Sequence, residues 1–168
     1  MFNKITMTQF LKQWGNPKNL VNRFDFGVEE FTTQAGETAM LEFKKSFVTH
    51  SFFGTPWKPR ESRWGKKHKH PILLDTGKLQ RSIFSYGYLH SNNLSRYNIN
   101  TNEKSVAGKK RGRNKPPHTY AAIHNQGGYP VNQYSNKLSV KRQFIGHHKL
   151  LNERLDDLIP IIFRQFPI

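Results

Sequence analysis

Apolar residues recur at every fourth position through Phe31, Ala35, Ala39, Phe43 and Phe47. That spacing draws one stripe along an α-helix. Met40 and Val48 widen the stripe, so the pattern predicts a helix over 28–53. Glu29, Glu30, Glu37 and Glu42 precede Lys44, Lys45 and His50, an order that complements the helix dipole. Gly36 is the one discordant position, costing about 1 kcal/mol relative to Ala. Upstream, Ile5, Met7, Phe10, Leu11 and Trp14 are parted from Leu20, Val21 and Phe24 by Gly15-Asn16-Pro17. This predicts two short elements around a turn, with Asp25 a candidate cap for the long helix.

Beyond the helix, Gly54, Pro56, Pro59, Gly65 and Pro71 punctuate a loop over 54–71. Ile72-Leu73-Leu74 follows, then a turn at Asp75-Thr76-Gly77. Alternation around Ser82, Phe84 and Tyr86 predicts a strand over 82–89, with 94–101 as its partner. Tyr120-Ala-Ala-Ile-His124 reads as a third short strand ending at Gly127-Gly128, where a tight turn needs positive φ. Residues 129–141 are polar and turn-rich. From Lys149 onward, Leu151, Leu155, Leu158, Ile159, Ile162 and Phe166 predict a C-terminal helix, which Pro160 either kinks or restarts. The expected fold class is α+β: two amphipathic helices against a small antiparallel sheet, with extended loops or arms. The expected organisation is an N-terminal arm or short elements over 1–27 and a single domain over 28–168, carrying a loop insert at 103–118.

Composition changes this picture in two ways. Hydrophobic residues are only 35% of 168, with a mean hydropathy of -0.75, so a small core must rely on the 13 Phe. Lys and Arg number 27 against 11 Asp and Glu, a net charge of +16. Self-repulsion at that charge is relieved by a polyanion, either nucleic acid or an acidic protein surface. The absence of Cys excludes disulfides and thiolate metal sites. No apolar stretch approaches the roughly 20 residues of a membrane span, and the N-terminus lacks a signal-peptide core.

The charge is concentrated in 103–118, where Lys104, Lys109, Lys110, Arg111, Arg113 and Lys115 stand among Gly and Pro. This loop is a candidate for contacting DNA phosphates, without sequence preference, or an acidic neighbouring subunit. Trp57 and Trp64 lie in the basic 54–71 loop, and Arg142 and Phe144 precede the last helix. These four are candidate subunit-interface residues, of the types that anchor interfaces. Core packing is the competing reading for Trp57, Trp64 and Phe144. The eight His show no metal-ligand spacing, and the carboxylates cluster in the predicted helices rather than converging on a loop. No P-loop and no nucleophile elbow is present. No catalytic residue, metal or cofactor is therefore expected, and the chain is not read as an enzyme.

Four segments in order carry a resemblance: Trp57-Lys58-Pro59; His70-Pro-Ile-Leu-Leu-Asp-Thr-Gly-Lys-Leu-Gln-Arg-Ser-Ile83; Tyr120-Ala-Ala-Ile-His-Asn-Gln-Gly-Gly128; and Arg142-Gln-Phe-Ile-Gly146. Together they resemble the phage virion morphogenesis family, which includes the Mu-like G tail proteins and the P2-like S tail-completion proteins. They also resemble the wider group with the fold of the HK97 head-tail adaptor. The resemblance spans about residues 28–166 and implies a structural virion protein of a tailed bacteriophage. Such a neck or tail-completion subunit forms a homo-oligomeric ring between a portal-side connector and the tail tube or tail terminator protein. It implies synthesis in the host bacterial cytoplasm, a place in the virion, and DNA in the ring's channel as a further partner. The basic insert at 104–117, the stretch 129–141 and the first 27 residues lie outside the family pattern. A sequence-independent nucleic-acid-binding protein is the alternative that the charge alone supports.

Overall fold

In the computed structural model, which describes residues 6–61, 66–67, 69–91, 94–101, 119–128, 137–164 and 166, one long helix organises the chain. Helix α1 covers Met7–Trp14 and opens on a capping box, in which Thr6 and Gln9 exchange backbone and side-chain hydrogen bonds. Helix α2 then runs unbroken over Pro17–Thr49, about 50 Å at 1.5 Å per residue. The turn expected at Asn16-Pro17 is real, but it is the start of the long helix. Asn16 Oδ1 accepts from Lys18 N at 3.0 Å, and Pro17 occupies the first turn, where its missing N–H costs nothing. The second short element and the Asp25 cap are therefore absorbed into α2, and the expected boundary at 27/28 falls inside it. At the other end His50, in left-handed conformation at φ 51°, terminates the helix before the expected residue 53.

Two hairpins follow. Strands β1 (Ser51–Phe52) and β2 (Thr55–Pro56) pair antiparallel. Phe53 and Gly54 between them take φ of 47° and 84°, the positive values a two-residue hairpin needs. A four-residue helix α3 (Lys78–Arg81) starts after Gly77, placing Leu79 in the core. Strands β3 (Ile83–Ser91) and β4 (Leu94–Thr101) form the larger antiparallel hairpin, with a bulge between Ser85 and Tyr88. One face of this hairpin carries Ile83, Ser85, Tyr97 and Ile99 and packs on α2. Tyr97 lies directly against Gly36, whose Cα leaves no room for a methyl group. The glycine that weakens the helix pattern is thus the seat of an aromatic ring.

Residues 120–124 are helical, not a strand. Helix α4 (Tyr120–Gln126) is capped by Thr119, whose side chain accepts from Ala122 N at 3.2 Å. Helix α5 (Lys149–Asp156) and the short α6 (Ile159–Ile162) close the fold, with Pro160 in the first turn of α6. The expected α+β class stands, with two two-stranded antiparallel sheets. The core runs from Ala39, Phe43 and Phe47 on α2 to Phe52, Trp57, Leu73, Leu79, Ile83, Ala121, Phe144 and Leu151. A separate aromatic cluster sits at the N-terminal end of α2, where Phe24 and Trp14 meet Phe163 and Phe166. Among the described residues no helix is long and apolar enough to cross a membrane.

Candidate functional site

Three of the four segments singled out in the sequence, together with the end of the other, close on one knot beside Phe47. That side chain is fully buried and touches the Trp57 ring at 5.5 Å and the Phe144 ring at 5.2 Å. Trp57 donates its indole N–H to the Gln143 carbonyl at 2.7 Å, across 86 positions of sequence. Arg142 returns the connection: its Nε donates to the Lys58 carbonyl at 2.9 Å and its Nη2 to the Pro59 carbonyl at 3.3 Å. Arg60, next along, donates to the His70 and Pro71 carbonyls at 2.8 and 2.9 Å. Two guanidiniums therefore strap the 58–60 loop, one to the segment at 142 and the other to the segment at 70.

Helix α4 supplies the third side. Asn125 Oδ1 accepts from both Phe144 N and Ile145 N at 2.9 Å, and the His124 carbonyl accepts from Arg142 N at 2.7 Å. The chain then leaves α4 through Gly127 at φ 66° and Gly128 at φ 77°. The positive φ expected here is present, and a Cβ on Gly127 would strike the Lys141 backbone at 2.6 Å. His124 packs edge-to-face on Tyr120 with ring centroids 4.3 Å apart. Its imidazole is pushed down from 6.5 to about 4, first by burial and then by the Arg142 and Arg60 guanidiniums. Its Nδ1 is buried without a hydrogen-bond partner. Arg142 is itself lowered from its usual value, by burial and by Arg60.

These contacts correct the interface reading of three residues. Trp57, Arg142 and Phe144 are all buried, at 7%, 9% and 1% exposure, and their side chains hold the fold together. An aromatic anchor for a neighbour must protrude, and neither Trp57 nor Phe144 does. Trp64 and the six basic residues Lys104, Lys109, Lys110, Arg111, Arg113 and Lys115 lie outside the described residues. Asn125, Arg60 and His124 were missed as members of this knot. Their signal is weak, since each works through a backbone group that sequence does not display. Among the described residues no three His, Asp or Glu side chains gather as a metal site would require.

What reaches the surface is apolar as well as basic. Met7, Leu11, Val21, Phe24 and Phe26 on the first two helices are between 52% and 72% exposed. Tyr86, Leu89 and Leu94 on the outer face of the large hairpin are also exposed. The chain matches no family model, no curated protein and no solved structure.

Proposed function

We propose that this chain is a structural virion protein of a tailed bacteriophage: a neck or tail-completion subunit of the phage virion morphogenesis type, acting as a homo-oligomeric ring. One observation carries the reading. The W-x-P segment, the Y-A-A-I-H-N-Q-G-G segment and the R-x-F-x-G segment, chosen for their resemblance to that family, meet in a single knot of hydrogen bonds. Such long-range ties are what a shared architecture requires of its signature residues. A role without catalysis fits the chemistry of the knot, because Arg142, Asn125 and Trp57 direct their polar atoms to the chain's own backbone. His124 is kept neutral and buried. The ring sits between a portal-side connector and the tail tube or tail terminator protein, and DNA passing its channel meets a surface of positive charge.

Electron microscopy of purified particles, with mass spectrometry of their proteins, tests this. A ring at the head-tail junction containing the chain supports it, and particles lacking the chain refute it. The net charge of +16 favours a second reading, a sequence-independent nucleic-acid-binding protein. That reading predicts tight DNA binding by the isolated chain that weakens steeply with salt.

A further inference from the structure

The first three turns of α2 are apolar on more sides than the fold covers. Every residue from Pro17 to Phe26 is exposed, and the first buried position is Gly27. Phe163 and Phe166 shield one direction only, against Phe24 and Gly27. Val21, 56% exposed, and Phe26, 67% exposed, point away from each other. Five residues at about 100° each set them roughly 140° apart around the helix. Beside Phe26 lies a cavity of about 280 Å³, also lined by Trp14, Gly27, Ile162 and Phe166. A helix that is apolar around most of its circumference belongs in an interior. This one has a protruding side and a hollow side.

Charge identifies what fills that interior. The chain carries +16, so copies repel one another over most of their surface. Residues 6–30 are the exception: Lys12, Lys18 and Arg23 are matched by Asp25, Glu29 and Glu30. This end offers nothing to a polyanion and little to an acidic partner, yet it lets two like-charged copies approach. We propose that the first three turns of α2 are the surface through which copies of this chain meet head to tail, the Val21 flank of one against the Phe26 flank and hollow of the next. Two unlike flanks on one subunit make a heterologous contact, the kind that closes into rings. The inference rests on the ring reading above and assigns its subunit contact.

The chain has no cysteine, so introduced thiols report position without background. Val21→Cys and Phe26→Cys chains are mixed in equal amounts and treated with a short bifunctional maleimide. The mixture yields dimers, the Val21→Cys/Phe26→Cys double variant yields a ladder, and each single variant alone yields neither. Val48→Cys is the control, at an equally exposed position, 67%, on the same helix, about 33 Å from Phe26. Paired with Val21→Cys it gives no dimer. Dimers from a single variant alone overturn the head-to-tail contact. No ladder, while particles still carry the ring, overturns this inference and leaves the ring reading intact. A ladder from a chain absent from particles supports the contact and refutes the neck assignment. Both positions are exposed, and circular dichroism verifies that the variants stay folded.

Discussion

Replacing His124 with Phe isolates the cost of keeping one imidazole neutral. The folded ring titrates at about 4 and the unfolded one at 6.5. Between those values the unfolded chain holds more protons, so acid favours unfolding. The stability that depends on neutral His124 is complete above about pH 6.5. It falls as pH drops and is exhausted near pH 4. At 1.36 kcal/mol per pH unit, the loss reaches about 2 kcal/mol at pH 5 and about 3 kcal/mol in full. Phe keeps an edge toward Tyr120 and removes a buried nitrogen that has no partner. The variant and the parent therefore lie within about 1.5 kcal/mol of each other at pH 7.5. Urea unfolding at pH 7.5, 6.5, 5.5 and 5.0 measures both. The other seven His and the carboxylates titrate in both proteins, so only the difference between the curves is diagnostic. That difference should move in favour of the Phe variant by about 2 kcal/mol between pH 7.5 and 5. Parallel curves would show that His124 is hydrated in solution, and the reasoning would fail.

Three other substitutions test the contacts directly. Arg142→Gln should raise the His124 pKa above about 4 but leave it below 6.5, because burial is the larger cause; an NMR titration of the imidazole that returns 6.5 or higher contradicts this. Gly36→Ala gains about 1 kcal/mol of helix propensity but drives a methyl into the Tyr97 ring. Overpacking of about 1–3 kcal/mol should win, and a variant more stable than the parent by thermal melting shows that Tyr97 is free to move. Asn125→Ala strands two backbone N–H groups and should cost about 2–4 kcal/mol. Asn125→Asp retains an acceptor and should cost less, and equal losses in chemical denaturation remove the hydrogen bonds from the account.

Strands β3 and β4 were legible because Ser82 to Leu89 and Leu94 to Thr101 supply enough alternation to favour two half-buried strands. The start of α2 was misread because Asn-Pro is a signal with two meanings. It marks a turn, and it is also an N-cap followed by a first-turn proline, and only tertiary packing decides between them. Tyr120 to His124 was ambiguous for a different reason, since five apolar-rich residues show no usable period. The discriminating residue was Thr119, a cap outside the apolar run. The knot was only half visible. Trp57 and Arg142 stood out by type, but a tie spanning 86 positions has no local signature. Nothing in their spacing said that they face inward.

Salt separates the two uses of the surface, because it acts on them with opposite signs. If copies meet through a neutral apolar end while the rest of each carries like charge, the contact itself is insensitive to screening and the repulsion is not. At 0.1 M the Debye length is about 10 Å and at 1 M about 3 Å, so the repulsion between neighbours largely vanishes over that range. Self-association measured by sedimentation should therefore tighten as salt rises. Binding to DNA through Lys and Arg runs the other way. Each phosphate contact releases counterions, and six to ten of them cost about a thousandfold or more in affinity between 50 and 200 mM. A chain that assembles better in high salt and binds DNA better in low salt uses different surfaces for the two tasks. Self-association that weakens with salt would mean that copies are held by their charges, and the apolar end of α2 would lose its claim to the contact.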